Sequence, residues 1–171
     1  MKKDRPLTLY EKQKLEKPSI EELANEYLNI ELNRQLSDFT SFLKQNNMTP
    51  RLYTTNLFQV KYKGKYILKI RMAGGPKLQR DVYSVFIWPS DKEDLEDFFI
   101  TLSDDMKNFY LDNICLCKHC SKCLPKSIII LDKKIENYCN TTMSIDNPTE
   151  QQYKYIKKIV LLRKEYIKNK S

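Results

Sequence analysis

Residues 58–72 read Phe-Gln-Val-Lys-Tyr-Lys-Gly-Lys-Tyr-Ile-Leu-Lys-Ile-Arg-Met. Phe58, Val60 and Tyr62 alternate with Gln59, Lys61 and Lys63, the period-two signature of a half-buried strand. Lys63-Gly64 supplies a turn. Beyond it Tyr66, Leu68, Ile70 and Met72 alternate with Lys65, Ile67, Lys69 and Arg71. Two strands joined by so short a link form an antiparallel hairpin with one apolar and one basic face.

The flanks extend this unit. Downstream, Gly74-Gly75-Pro76 opens a polar loop, and Val82 to Trp88 reads as a third strand, apolar on both faces and so more central. Upstream, Ser19 and Glu22 form a capping box, each side chain able to satisfy the other's backbone N–H. Apolar residues then recur at helical spacing at Ile20, Leu23, Tyr27 and Ile30, and again at Leu32, Leu36, Phe39 and Leu43. The stripe shifts near residue 31, which fits one long helix or two with a bend. Asn46-Asn47 and Pro50 end it.

Past the sheet, Ser90 to Glu93 is a second capping box, followed by a buried stripe of Leu95, Phe98, Phe99 and Leu102. Ser103 can cap a short helix carrying Met106, Phe109 and Tyr110. A cysteine-rich segment and a short strand over 128–131 follow. Asn147-Pro148-Thr149-Glu150 combines an N-cap, a first-position proline and a third-position acid. It predicts a closing helix to about Lys168 with Tyr153, Ile156, Ile159, Val160 and Ile167 inward. The fold class is therefore α+β: an antiparallel three-to-four-stranded sheet covered by helices, with a C-terminal cysteine-cluster, zinc-knuckle-like segment and a closing helix.

A length of 171 residues suits one domain, and no run approaches the roughly 18 apolar residues of a membrane span. The expected organisation is a flexible or loosely docked basic arm over 1–17 and a single domain over 18–171. That domain divides into a helix–sheet–helix part (18–113) and a part with the cysteine cluster and final helix (114–171). The basic start has no apolar stretch behind it to make a signal peptide, so the expected location is cytoplasmic and no membrane partner is expected.

Four of the five cysteines fall in Cys115-Leu-Cys117-Lys-His-Cys120-Ser-Lys-Cys123, and the fifth is Cys139. Two residues between thiolates let a tight turn aim both sulfurs at one tetrahedral ion. Cys117, Cys120, Cys123 and Cys139 are thus candidate ligands for a structural zinc (Zn2+), with Cys115 or His119 as substitutes. Other readings stay open: an iron–sulfur cluster, a redox-active Cys-x2-Cys, and thiols that merely fill space. A structural disulfide framework fits poorly with an odd count of cysteines.

The pattern Cys117-x2-Cys120-x2-Cys123-x-Pro125, an isoleucine-rich strand, Tyr138-Cys139 and an Asn147-Pro148-led helix resembles a family of small uncharacterised proteins from low-GC Gram-positive bacteria. In that family a Cys-x2-Cys-x(2–3)-Cys-x-Pro-Gly run precedes a Gly-Lys turn, a further cysteine and an Asn-Pro helix. The resemblance covers roughly 109–167. This chain has Lys126 where glycine is usual and Asp132 before the turn lysine. The resemblance implies that the four cysteines act together, and it carries no activity with it.

The net charge of +8 is patterned. Residues 49–90 hold eight cations against one carboxylate, whereas 91–113 hold two against eight. The basic hairpin face, Lys61, Lys63, Lys65, Lys69 and Arg71, is a candidate surface for an anionic partner, either nucleic acid or an acidic protein surface. Tyr53 or Tyr62 is placed to stack on bases. A solvated sheet face with protective edge charge accounts for the same lysines. Helix-dipole complementation explains the acidic stretch, which can also pair with the hairpin inside the fold or across a homodimer. No Ser-His-Asp arrangement and no phosphate loop is present, and nothing identifies a reaction. The sequence points to a non-enzymatic binding or regulatory module with a structural zinc site. The alternative is a thiol-based redox enzyme or sensor built on the cysteine cluster.

Overall fold

Ser19 opens the helical layer with the expected reciprocal cap. The Glu22 N–H donates to its hydroxyl at 3.1 Å, and its own N–H donates to the Glu22 carboxylate at 2.6 Å. The computed structural model describes residues 5–73, 79–87, 97–116 and 127–170. In it the helical stripe of 20–43 divides into α2 (Ile20–Tyr27) and α3 (Ile30–Gln45). The break falls where the stripe shifts: Leu28 is extended, and the Asn29 side chain accepts from the Leu32 N–H to cap the second helix. Ile30, expected inward, is 90% exposed, because it is the first residue after that cap and precedes the turn that reaches the core. A further helix, α1 (Leu9–Glu16), lies within the stretch expected as an arm. Its one buried residue is Gln13, so no apolar stripe announces it.

Among the described residues eight strands follow. They are β1 (Arg51–Thr54), β2 (Leu57–Tyr62), β3 (Lys65–Met72), β4 (Tyr83–Ile87), β5 (Ile114–Leu116), β6 (Ser127–Ile130), β7 (Lys133–Glu136) and β8 (Tyr138–Asp146). The chain is α+β, but its main sheet is larger than predicted. Six antiparallel strands lie in the order β1-β2-β3-β4-β8-β5, not three or four. Among the described residues the isoleucine-rich strand stands apart from it and pairs with β7. Strand β8 fills the place beside β4 because it places Met143 and Ile145 inward while Ser144 and Asp146 face out.

Between β4 and β5, residues 97–100 are helical and α4 spans Asp104–Asp112. The closing helix α5 spans Glu150–Lys170 and buries all five residues expected inward, plus Arg163. The guanidinium of Arg163 lies 5.7 Å from the Phe98 ring and 5.3 Å from that of Tyr166. The cap of α5 differs from prediction. Thr149, not Asn147, exchanges bonds with the third helical position, Gln152, at 3.2 and 2.9 Å. Asn147 is used elsewhere: its Oδ1 accepts from the Tyr83 N–H, its own N–H donates to the Tyr83 carbonyl, and its Nδ2 donates to the Asp81 carbonyl. Asp81 in turn accepts from the Asn29 N–H, so one polar knot ties the α2–α3 break, the start of β4 and the start of α5.

The core lies on one face of the sheet. Phe58, Ile70, Val85 and Ile145 form a directly opposed row across β2, β3, β4 and β8, each at most 4% exposed. Leu36, Phe39 and Leu43 of α3 and Ile156, Ile159 and Val160 of α5 belong to the same cluster. Phe39 packs on Tyr153 with ring centroids 4.8 Å apart. The Tyr153 and Tyr83 hydroxyls meet at 2.7 Å inside it. Burial pushes the Tyr83 phenol up to about 12 and raises that of Tyr153 as well. No helix among the described residues is long and apolar enough to cross a membrane.

Candidate anion-binding interface

The hairpin between β2 and β3 turns through Lys63 and Gly64, whose φ angles of +46° and +78° are the two left-handed positions of a tight hairpin link. A Cβ on Gly64 would meet nothing within 4 Å, so it is the backbone angle that suits this position to glycine. Residues opposite one another on paired strands share a face. Arg51, Gln59, Lys69, Phe86 and Ser144 therefore form one row across five strands, on the side away from the core. Leu57, Arg71, Ser84 and Asp146 form the next row. Arg51, Lys61, Arg71 and Asp146 are exposed there.

Only part of the predicted basic set converges. Lys61, Lys69 and Arg71 share the outer face. Lys63 sits in the turn, and Lys65 pairs with Tyr62 at the hairpin end. The cause is an irregularity between Val60 and Lys61, where the register moves from Val60–Leu68 to Lys61–Tyr66 and leaves Ile67 as an extra residue. The bulge brings Tyr66 to the basic face. Tyr62, two residues beyond Val60 on the same strand, faces the helices, where the Lys164 ammonium lies 5.4 Å from its ring. Of the two predicted stacking tyrosines, Tyr53 is thus on the basic side and Tyr62 is not.

Aromatic rings interleave with the cations. Lys61 lies 4.5 Å from the Tyr66 centroid, Lys69 5.4 Å from Tyr53 and 5.9 Å from Tyr66, and Arg71 5.0 Å from Phe86. These are cation–π distances. Burial lowers the Lys69 ammonium from its ordinary value; Tyr66 pulls it the other way and Arg71 adds to the lowering. The alternation of 65–72 sets Tyr66 on the apolar face, but the bulge moves it to the basic one, and the β3–β4 register sets Phe86 opposite Lys69; neither leaves a local signal in the sequence. The one described acid of these two rows, Asp146, accepts a 2.5 Å hydrogen bond from Ser84 at the far end.

The acidic stretch meets other partners. Asp97 pairs with Lys170 at 3.1 Å and Asp104 with Lys107 at 3.5 Å. Near the outer edge, α1 is held by a polar pair. Gln13 Nε2 donates to Asn56 Oδ1 at 2.5 Å, and the Asn56 N–H donates to Gln13 Oε1 at 2.9 Å.

The predicted metal ligands Cys117, Cys120 and Cys123, with His119 and Trp88, lie outside the described residues. Cys115 is half-buried on β5, and Cys139 belongs to β8. The pairing of those strands sets Leu116, the residue before Cys117, opposite Tyr138, the residue before Cys139. Set against known proteins, the chain matches no family model, no curated protein and no solved structure.

Proposed function

We propose that this protein is a non-enzymatic binding module whose outer sheet face holds single-stranded nucleic acid. The observation that carries the reading is the alternation of Arg51, Lys61, Lys69 and Arg71 with Tyr53, Tyr66 and Phe86 across one pleated surface. Cations on a sheet meet phosphates, while aromatic faces stack on bases of any identity, which gives affinity without strict sequence preference. Every base offers a π-face for the rings, whereas carboxylates do not, so the aromatic component favours nucleic acid.

Fluorescence anisotropy with a labelled oligothymidylate of roughly 20 nucleotides tests this. Three or four phosphate contacts give a plot of log affinity against log salt with a slope of about −2 to −3. Arg71→Gln and Lys69→Gln each make that slope shallower and weaken binding of every sequence alike. Affinity unchanged from low to moderate salt, or equal affinity for polyglutamate of similar length, overturns the reading.

The proposal includes a structural zinc on Cys117, Cys120, Cys123 and Cys139. Its support is the Cys-x2-Cys spacing, together with the register that brings Leu116 against Tyr138. Elemental analysis of protein purified without added metal then finds one zinc per chain. A metal-free chain with a low-pKa thiol, or a brown iron-containing preparation, supports the redox alternative instead.

A further inference from the structure

Gln59 breaks the pattern of its own face. It is a polar residue in the middle of β2, only 8% exposed, and its Nε2 has no hydrogen-bond partner among the described residues. A buried amide left so is destabilising unless a ligand or water completes it. Gln59 lines a cavity of about 420 Å³ together with Asn47, Thr49, Arg51, Lys61 and Gly64. No carboxylate is among these lining residues, and two of the six are cations. Its amide N–H groups are unused, so Gln59 has donors to offer a ligand in the cavity.

We infer that this cavity is a phosphate-binding subsite, in which Arg51 and Lys61 supply charge and Gln59 supplies an otherwise unused donor. Arg51 is directly opposite Gln59 in the β1–β2 register, so a planar guanidinium and an amide stand side by side. That pairing suits the fork-like binding of a tetrahedral anion. Two cations match a dianion, a terminal phosphomonoester or inorganic phosphate, better than the single charge of an internal phosphodiester. The inference deepens the proposed function: it rests on nucleic acid as the partner and adds that the strand end is held in this cavity.

The first probe is inorganic phosphate against the full-length protein, with chloride at equal ionic strength as control. Phosphate raises the melting temperature, and Gln59→Leu abolishes that response while the melting temperature in chloride stays equal or rises. A merely structural glutamine gives the opposite pair: lower stability and a retained phosphate response. Arg51→Gln, at the exposed edge, weakens phosphate binding by about tenfold or more, as expected for loss of a charged hydrogen bond. The second probe is one oligonucleotide with and without a 5′-phosphate. The phosphorylated strand binds about tenfold tighter, and the difference vanishes in Gln59→Leu. Phosphate that acts no differently from chloride overturns the subsite. Oligonucleotide binding that depends on Arg71 but not on Gln59 overturns it too, while leaving the wider face intact. Gln59-dependent phosphate binding without any oligonucleotide binding upholds the subsite for free phosphate and removes nucleic acid as the partner.

Discussion

The two faces of the main sheet are built from the same strands, residue by alternate residue, yet they follow opposite rules. On the core face, Phe58, Ile70, Val85 and Ile145 are closed off by α3 and α5. On the outer face, Arg51, Gln59, Lys69 and Phe86 mix charge, amide and ring within one row. The first arrangement stabilises by removing apolar area from water. The second contributes little to stability, since exposed charges and cation–π pairs are each worth about 1 kcal/mol or less. The outer face is therefore little constrained by packing, and the proposed binding role rests on its aromatic–cation alternation.

That contrast is open to direct attack. Ile70→Ala, in the core row, is expected to cost about 2–5 kcal/mol in urea unfolding. A loss no larger than that of an outer-face change would abolish the distinction between the faces. Tyr153→Phe leaves the buried Tyr83 hydroxyl without its 2.7 Å partner and is expected to cost about 1–3 kcal/mol.

The same tyrosine pair predicts the alkaline behaviour. Below pH 10 both folded and unfolded chains keep these phenolic protons, so their contribution is complete. Above it the unfolded chain releases protons that Tyr83 holds up to about 12. Stability should thus fall from about pH 10 upwards, and less steeply in Tyr153→Phe, which has one fewer shifted group. Thermal melts across pH 8–11 check the sign.

Next in size is the Gln13–Asn56 pair. Gln13→Ala should cost about 1–2 kcal/mol and speed amide exchange across residues 9–16, because α1 has no other buried side chain to hold it. Exchange unchanged there would mean that α1 is held by something else. The smallest effect belongs to Arg71→Gln. Its stability should move by no more than about 0.5 kcal/mol, even though oligonucleotide affinity falls.

Much of the helical layer was legible. The Ser19–Glu22 box, the shift of the stripe near residue 31 and the inward stripe of α5 all arise from interactions within a few residues; the stripe alone leaves open whether the shift marks a break between two helices. The hairpin over 58–72 was equally plain. Strand β8 was not, since Tyr-Cys-Asn-Thr-Thr-Met-Ser-Ile-Asp shows alternation only over its last four residues and is polar before that. Strands β1 and β5 are four and three residues long, too short to show a period. The cap at Asn147 was misread for a related reason: asparagine is a good cap, but here its amide serves β4.

The sequence by itself determined the helical stripe of 20–43, the β2–β3 hairpin and the closing helix, where the charge concentrates and that the cysteines cluster. Local hydrogen bonding and the periods of 3.6 and 2 are properties of consecutive residues, so they can be read there. Tertiary structure alone decided that the sheet has six strands. It also decided that a bulge brings Tyr66 to the basic face, and that Gln59 stands buried beside Arg51. Each of these depends on register between segments far apart in the chain, and register is fixed by the shared core, not by any residue's neighbours in sequence.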